Sequence, residues 1–458
     1  MTTLSNKPIS RPEGQEPALW LYNGLLLLAS PVLLLWLLWR MFVRGKSREG
    51  LGERLGKLPE AARKLGKVED PVAWFHAVSV GEVAALQPVL QVFRIKEPLA
   101  HVALSTTTAT GRRMVAKQEL DPDAIFYFPF DLLPVVRRVF SQLNPDLMVM
   151  VEGEVWPNVL AVAAQQGVKT CIINGRFSDS AFRRARLAAP IFRWMLAKLD
   201  LLCVQSQTDA DRFIALGARP DRVRIVGNSK FDERFPEVSD AEAAKMRQEF
   251  GFGEEDPVLV AGSTHAGEDE IVLHAYSDLC TRHGNLQLVL APRHPERGDQ
   301  IQQLIEKHGF QVYRRSLARA GQPQPEPVGP QARVVLLDTI GELARVYALA
   351  EVVFVGGSLV KIGGHNILQP IAQGKPVLTG PYTHNFRGIM NIALEAGAVE
   401  VVRNADELTQ AIDRLLRDRR EAQRRRERGL AMLQEQRGAS ERMAEALAEL
   451  LKDAAPRS

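Results

Sequence analysis

The sequence predicts an α/β protein made of two successive domains, each built on a parallel β-sheet. Short apolar runs alternate with helix-like segments, which is typical of βαβ units. The alternation occurs twice, and a polar, acidic stretch at residues 232–256 separates the two series. The 458 residues are enough for two or three domains.

Composition narrows the class of protein further. The hydrophobic fraction of 46% and the charged fraction of 24% are those of a folded globular chain. The net charge of +4 is small, so bulk charge does not indicate a nucleic-acid partner. Cys171, Cys203 and Cys280 are far apart, which indicates neither a disulfide framework nor a metal site and fits a reducing compartment.

The segment at residues 19–39 carries no charge, is rich in leucine and is long enough to cross a bilayer. Aromatic residues lie near both of its ends, and basic residues follow at once (Arg40, Arg44, Lys46 and Arg48). Because the positive side of such a segment stays in the cytoplasm, we expect a single-pass anchor at residues 19–43 with the body of the protein inside. The alternative is a helix that lies in the interface, although the segment has no extended polar face.

The first series of predicted strands occupies residues 72–79, 101–105, 124–130, 147–151, 170–174, 201–204 and 223–226. The second series occupies residues 257–261, 286–291, 310–313, 333–337, 352–355, 376–378 and 399–402. A charged, alanine-rich helical region follows at residues 406–451. Ligands of open α/β sheets bind at the carboxyl ends of the strands, so the loops at those ends hold the candidate site residues.

Glu82 is the first candidate, because it opens a helix directly after the strand at residues 72–79. Gly81 permits a tight turn there, which places the carboxylate at the end of the strand. A carboxylate in that position can act as a general base. The simpler alternative is that Glu82 only complements the helix dipole, since acidic residues commonly open helices.

Two further loops of the first series carry charged residues. Glu152 and Glu154 follow the strand at residues 147–151, and Lys230 lies in a glycine-led turn at residues 227–232. The segment at residues 181–193 is both basic and apolar, which would suit a phosphorylated lipid. It is equally typical of an ordinary amphipathic helix.

The second series offers a set of loops that together predict a nucleotide site. Arg293 follows one strand and Gly341–Glu342 follow another. Two pairs of glycines lie at the two ends of residues 356–364. Asn366 and Gln369 are three residues apart at a helix start, so both can face one ligand. Each loop alone is also compatible with a solvated surface or a plain helix cap.

These motifs resemble the 3-deoxy-D-manno-octulosonic acid (Kdo) transferases of lipopolysaccharide assembly. The resemblance rests on residues 76–82, 152–158, 227–232, 292–297, 341–343 and 356–369, in order along the chain. It implies a GT-B fold, in which two Rossmann-like domains face a cleft, with an N-terminal transmembrane helix. It also implies an inner-membrane location with the catalytic domains on the cytoplasmic side.

The implied reaction is inverting transfer of Kdo from CMP-Kdo to the tetraacylated lipid A precursor (lipid IVA), without metal, cofactor or nucleic acid. By motif, Glu82 would be the general base, and Glu152 and Lys230 would stabilise the transition state. The implied CMP-binding residues are Pro292, Arg293, Ile340, Gly341, Glu342, Asn366, Ile367, Leu368 and Gln369. The family usually has glutamate at the position of Gln369, and an amide cannot accept from two ribose hydroxyls as a carboxylate can.

The implied domains are an acceptor-binding domain at residues 44–235, a CMP-sugar-binding domain at 236–425 and a helical segment at 426–458. One alternative is another GT-B enzyme, such as a different nucleotide-sugar transferase or a UDP-sugar epimerase. Another is a membrane-anchored protein that binds nucleotide or anionic lipid without catalysis. Selectivity for CMP over UDP, and turnover of CMP-Kdo, discriminate among these.

Overall fold

The computed structural model describes residues 17–42, 49–117, 120–323 and 333–454. The chain divides into two compact units. Unit 1 comprises Met1–Glu233 together with Arg437–Ser458, and unit 2 comprises Arg234–Gln436. The chain therefore leaves unit 1 after Glu233 and returns to it at Arg437.

Unit 1 contains a seven-stranded, fully parallel sheet with the strand order β3-β2-β1-β4-β5-β6-β7. Its strands are β1 (Val72–Ala77), β2 (His101–Thr106), β3 (Ala124–Tyr127), β4 (Leu147–Val151), β5 (Lys169–Gly175), β6 (Leu201–Val204) and β7 (Val223–Ile225). The helices before the boundary are α1 (Pro17–Phe42), α2 (Leu51–Arg54), α3 (Glu60–Leu65), α4 (Val80–Lys96), α5 (Ala109–Lys117), α6 (Leu133–Leu143), α7 (Pro157–Gln165), α8 (Asp179–Leu187), α9 (Ala189–Leu196) and α10 (Gln207–Ala215).

Both faces of the unit 1 sheet are covered, as is typical of parallel sheets. Trp74 of β1 is fully buried on one face, where its ring centroid lies 5.4 Å from that of Phe140. The next residue, Phe75, points to the other face and contacts Phe93 of α4 at 5.5 Å. This alternation along one strand fixes the two apolar layers that hold β1, and with it the loop that carries Glu82.

The first turns of helix α1 contact the rest of unit 1 through polar side chains. Tyr22 donates to the carboxylate of Asp131 (2.9 Å), and the amides of Asn23 and Asn158 exchange two hydrogen bonds (2.9 and 3.0 Å). Asp131 and Asn158 are buried. The apolar side chains of Leu27 and Leu28 farther along the helix are 74% and 79% exposed.

The predicted transmembrane span at residues 19–43 is not supported. No helix in the part of the chain that the structure describes combines the length and the apolarity needed to cross a bilayer. The segment is helical as expected, but polar side chains in its first turns hydrogen-bond to the globular unit. The basic residues Arg44, Lys46 and Arg48 lie outside the described residues.

Unit 2 contains a second seven-stranded, fully parallel sheet with the order β10-β11-β9-β8-β12-β13-β14. Its strands are β8 (Val258–Thr264), β9 (Gln287–Pro292), β10 (Gln311–Arg314), β11 (Arg333–Leu336), β12 (Val352–Val355), β13 (Val377–Thr379) and β14 (Val399–Val401). Its helices are α11 (Asp240–Phe250), α12 (Glu268–Cys280), α13 (Gly298–Lys307), α14 (Arg315–Arg319), α15 (Leu343–Val346), α16 (Leu368–Ala372), α17 (Arg387–Glu395), α18 (Ala405–Arg417) and α19 (Arg419–Gln436). All fourteen predicted strands are present, and the predicted pair of parallel α/β domains is confirmed.

The last helix, α20 (Ala439–Lys452), packs on unit 1. Met443 and Leu447 are fully buried in the same apolar layer as Phe75. The carboxylate of Asp232 accepts the backbone N–H groups of Gly438 (2.7 Å) and Ser440 (2.6 Å), which satisfies free donors at the start of the helix. The turn that carries Lys230 is thereby tied to the C-terminal helix.

Candidate functional site

Glu82 lies in the first turn of α4, at the carboxyl end of β1. One carboxylate oxygen accepts the backbone N–H of Val78 (2.8 Å) and the other accepts the hydroxyl of Ser79 (3.0 Å). The side chain is buried, with 9% exposure. Glu82 is therefore held in one orientation by two donors and is largely removed from water.

The surroundings of Glu82 favour its protonated form. Burial raises the pKa of its carboxyl to about 7, and the negative charges of Glu152 and Glu154 act in the same direction. The hydrogen bonds from Val78 and Ser79 oppose this shift without cancelling it. A carboxyl group with a pKa near 7 is suited to accept and release a proton at neutral pH. An exposed glutamate that only complements a helix dipole would not have such a pKa.

Glu152 occupies a strained turn after β4, with a left-handed φ of +64°. Its carboxylate lies between two cations, with Lys230 Nζ 2.8 Å from one oxygen and Arg176 Nε 2.8 Å from the other. Burial alone would raise its pKa, but the charges of Lys230 and Arg176 hold the pKa of Glu152 below its ordinary value. Glu152 is thus an ionised carboxylate that fixes two cations.

Lys230 is positioned by the turn at the end of β7. The side chain of Asn228 accepts a hydrogen bond from the backbone N–H of Lys230 (3.0 Å). The side chain of Asn174 accepts one from the backbone N–H of Ser229 (3.2 Å). The hydroxyl of Ser229 donates to the carbonyl of Ala85 in α4 (2.7 Å), so this turn is also fixed to the helix of Glu82. The structure thereby brings together the three residues that the sequence assigned to catalysis.

Glu154 is a fourth charged residue at the carboxyl edge of the unit 1 sheet. It lies in the same loop as Glu152, as the sequence indicated. Burial raises the pKa of its carboxyl, and the charge of Glu152 adds to the effect. Two carboxyl groups with raised pKa values, Glu82 and Glu154, therefore flank an ionised Glu152. Perturbed acids gathered at one sheet edge are characteristic of functional sites.

In unit 2, Arg293 follows β9, where its backbone N–H donates to the carbonyl of Thr264 (3.0 Å). Its guanidinium group is exposed and makes no ion pair with any residue that the structure describes. Pro292, before it, ends β9 and is buried. An exposed arginine at a strand end is available to an anionic ligand.

The loop after β11 holds Ile340, Gly341 and Glu342. Ile340 is 74% exposed, and Gly341 has a left-handed φ of +96°. Burial alone would raise the pKa of Glu342, but Arg315, at 2.9 Å, and Thr339 hold it below its ordinary value. The carboxylate is thus already engaged by a cation, and the loop presents an apolar side chain and backbone to solvent.

The other four predicted nucleotide residues lie at the start of α16, where Asn366 and Ile367 precede the helix and Leu368 and Gln369 are its first residues. The side chain of Asn366 accepts the backbone N–H of Leu368 (2.9 Å). Ile367 and Leu368 are buried, so their side chains belong to the core and only their backbone groups can meet a ligand. Gln369 is half-buried.

The sequence did not single out Glu268, which is fully buried at the start of α12. Its carboxylate accepts four backbone N–H groups, those of His265 (3.0 Å), Gly357 (2.6 Å), Ser358 (2.9 Å) and Leu359 (2.7 Å). It therefore ties the loop after β8 to the glycine loop after β12. From sequence it was one of several acidic residues at a helix start, and three of its four partners lie about ninety residues away.

Arg176 was likewise not assigned a role, although it contacts Glu152. The residues that the structure describes include no group of three or more His, Cys, Asp or Glu arranged to hold a metal ion. At the unit 1 edge, Lys230 and Arg176 are the side-chain cations that contact Glu152.

Residues 49–233 match a family model described as 3-deoxy-D-manno-octulosonic-acid transferase (kdotransferase). The chain is 33% identical to the 3-deoxy-D-manno-octulosonic acid transferase of Haemophilus influenzae, covering 93% of this chain and 97% of that protein. It is 34% identical to the corresponding transferase of Bordetella pertussis, covering 81% of this chain and 84% of that one. The similarity therefore extends across both units.

Solved structures with low sequence identity share the fold. A UDP-GlcNAc 2-epimerase from Neisseria meningitidis matches with a TM-score of 0.57 at 13% identity, covering 82% of this chain and 99% of that chain. A glycosyltransferase from Rickettsia africae matches with a TM-score of 0.56 at 11% identity, covering 84% and 100%. The two parallel-sheet units thus resemble those of GT-B glycosyltransferases. Together with the full-length relatives, these findings show that the chain belongs to the 3-deoxy-D-manno-octulosonic acid (Kdo) transferase family.

Proposed function

We propose that this Kdo transferase takes Kdo from CMP-Kdo and transfers it, with inversion and without a metal ion, to the tetraacylated lipid A precursor, lipid IVA. The observation that carries the proposal is the buried carboxyl of Glu82, whose pKa is raised to about 7, next to the Glu152 carboxylate that fixes two cations. Glu82 would be the general base. Inversion follows from a single displacement in which the acceptor hydroxyl attacks opposite the leaving nucleotide.

The chemistry requires a base and a means to stabilise negative charge. The acceptor hydroxyl loses a proton as it forms the new bond, and the Glu82 carboxylate accepts that proton. The phosphate of CMP gains charge as its bond to Kdo breaks. Lys230, held by Glu152, and Arg293 are cations suited to stabilise this charge, because fixed donors need no reorganisation during the reaction.

The acceptor would be recognised by unit 1 and the nucleotide by unit 2. Helix α8 exposes three arginines and an 88% exposed Leu187, a combination of charge and apolar surface that suits a phosphorylated lipid. In unit 2 the exposed Arg293, the backbone at Gly341 and the turn of Asn366 would offer donors and acceptors to CMP. Gln369 would still face the ribose, with one amide in place of the usual carboxylate.

We expect the purified enzyme to convert CMP-Kdo and lipid IVA into a Kdo-bearing lipid and CMP. Mass spectrometry of the lipid product detects the transfer and counts the Kdo units, and NMR of the new linkage reports the anomeric configuration. The rate should be the same with EDTA present, because in the proposed mechanism Lys230 and Arg293 stabilise the negative charge in place of a metal ion. Turnover of UDP-sugars without any Kdo product would instead favour the epimerase or another nucleotide-sugar transferase.

We also propose that α1 attaches the enzyme to the inner membrane, with both units on the cytoplasmic side. The support is the row of exposed apolar side chains that follows the docked first turns of the helix, among them Leu27, Leu28, Val32 and Leu35. Exposed apolar surface of this kind marks a contact with another apolar phase. An acceptor that carries acyl chains would be reached at that surface.

The triple change Leu27→Gln, Leu28→Gln and Leu35→Gln should move the enzyme from the membrane fraction to the soluble fraction. The loss of apolar burial in lipid is the physical reason. A matched control is Ile95→Gln with Leu99→Gln, two unit 1 side chains that are 79% and 70% exposed away from α1. Protease added to spheroplasts should leave both units uncut. Cleavage there would contradict the orientation, and an unchanged distribution of the triple variant would contradict the attachment.

A further inference from the structure

Two histidines from different loops of unit 2 meet edge to edge. His265 follows β8 and His365 lies in the glycine loop after β12, and their Nε2 atoms are 2.8 Å apart. The ring planes are within 4° of each other and the ring centroids are 5.1 Å apart. Rings stacked face to face at that spacing would keep all of their atoms far apart. The short Nε2–Nε2 distance therefore shows that the two rings lie nearly in one plane and share a hydrogen bond.

The proton count of this pair has a chemical consequence. When both rings are neutral, one Nε2 donates to the other, so only one of the two Nδ1 atoms carries a hydrogen. Neither Nδ1 has a hydrogen-bond partner among the residues that the structure describes. Uptake of one proton gives the pair a positive charge and makes both Nδ1 atoms donors. The shared hydrogen bond survives this change.

The surroundings keep the empty pair neutral. Burial, together with the charges of Arg293, His265 and His294, lowers the pKa of His365 to about 4. Burial also lowers the pKa of His265, where His294, Arg293 and Arg297 act in the same direction and only Glu268 opposes them. The carboxylate of Glu268 is itself occupied by four backbone N–H groups.

The carboxylates near this cluster are already engaged by other groups: Glu296 contacts His294 (3.2 Å) and Asp269 contacts Arg297 (2.5 Å). Arg293 has no ion-pair partner in the described part of the chain, and the His294 ring packs edge-on against His265 at 5.5 Å. A bound anion would reverse the electrostatic effect on both rings, because opposite charges favour the protonated form of histidine. Glu268 holds the two loops that carry the pair, so the geometry exists before the ligand arrives.

We propose that the His265–His365 pair, together with Arg293, binds the phosphate of the donor nucleotide and takes up a proton from solvent as it does so. The proposal rests on the proposed function, in which the donor is a CMP-sugar. The pair is a proton-accepting phosphate subsite, and it adds two residues to the predicted nucleotide loops. As CMP leaves and its phosphate becomes a dianion, the charged pair stabilises the product.

Calorimetric titration of the whole enzyme with CMP at pH 7.0, in two buffers with different ionisation enthalpies, measures the protons taken up. We expect net uptake with CMP and none with cytidine, which lacks the phosphate. His365→Gln keeps a polar group near the Nε2 position but cannot be protonated. It should abolish the uptake and weaken CMP about 10- to 100-fold, the range for a lost charge-assisted hydrogen bond, while cytidine binding stays the same.

His265→Gln should behave in the same way, so the result does not depend on one variant folding. His274→Gln changes an exposed histidine of α12 and should affect neither quantity. CMP binding without proton uptake by the wild-type enzyme, or uptake that persists in both glutamine variants, would overturn the proposal. Binding of UDP without binding of CMP would instead refute the proposed donor. The same two-buffer titration with UDP would then decide whether the histidine pair takes up a proton. Failure to bind any nucleotide would overturn both.

Discussion

Glu82→Gln is expected to lower the rate of Kdo transfer about 10²- to 10⁴-fold, the usual loss for a missing general base. Glutamine keeps the size of the side chain and can still accept from Val78 or Ser79, but it cannot take the proton of the acceptor hydroxyl. CMP affinity should stay unchanged, because the predicted CMP residues belong to unit 2. The measurement is the initial rate of transfer to lipid IVA, with CMP affinity from titration as the control.

The same residue sets the expected pH dependence. A general base works as the carboxylate, so the rate should rise with pH up to about 7, the raised pKa of Glu82, and level off above it. In the Glu82→Gln variant the residual rate should no longer rise with pH in this range. The contribution of Glu82 to folding stability changes with pH in the opposite direction. Because the pKa of Glu82 is higher in the folded state than in the unfolded state, this contribution is fully present below about pH 4.5 and is lost as pH rises through about 7. At pH 8 the variant should therefore be at least as stable as the wild type.

Glu242→Gln is the matched control, because Glu242 also lies three residues after a serine N-cap and accepts the hydroxyl of that serine at the start of α11. It should weaken only the start of α11 and keep normal transfer. A folded Glu82→Gln enzyme that retains more than about a tenth of the normal rate would place the base elsewhere. Glu154, with its raised pKa, would then be the next candidate, since Glu152 is committed to Lys230 and Arg176.

Most of the strands were predictable because they are short apolar runs that are buried on both faces of a parallel sheet, although the edge strand β7 is partly exposed. Their carboxyl ends then located the loops of Glu82, Glu152 and Lys230 without any knowledge of side-chain contacts. The ion pair between Glu152 and Lys230 joins residues 78 positions apart, and Arg176 completes it from a third strand end. Sequence identifies such residues only when a motif is known for each of them, and no local pattern marked Arg176.

Other features depended on contacts that no local pattern encodes. His265 and His365 are 100 residues apart, so their spacing carries no sign of pairing. The helical character of α20 was evident, but its return to unit 1 depends on the match between its buried face and the layer under Phe75. The membrane prediction for α1 weighed total apolarity and not the polar docking of Tyr22 and Asn23, which only the fold of unit 1 determines.

Lys230→Met is expected to cost both stability and activity. The change keeps the length of the side chain but removes one of the two cations that contact the buried carboxylate of Glu152 among the described residues, which leaves Arg176. Breaking one side of a buried ion pair typically costs about 3–5 kcal/mol, because the remaining charge is poorly compensated. If Lys230 also stabilises the departing phosphate, transfer should fall about 10²- to 10³-fold, as for other preorganised donors.

A second variant separates the two effects. In the double change Lys230→Met and Glu152→Gln the buried charge is removed together with its partner, and Arg176 still has an amide oxygen to contact. Most of the lost free energy of unfolding should return, since removing both members of a buried pair is far less costly than removing one. The rate should remain low, because the cation is still absent. Lys96→Met, which breaks the ion pair with Glu445 at the surface of unit 1, should leave the rate at the wild-type value.

The outcome of this cycle assigns Lys230 a role. If stability and rate recover together in the double variant, Lys230 serves only to neutralise Glu152, and the negative charge of the transition state must be stabilised by other groups, with Arg293 the first to test. If stability recovers and rate does not, the lysine acts on the reacting phosphate and Glu152 is the residue that positions it. We expect the second result, because Glu152 has a pKa held below its ordinary value and a second cation in contact, which makes it a fixed anchor for Lys230.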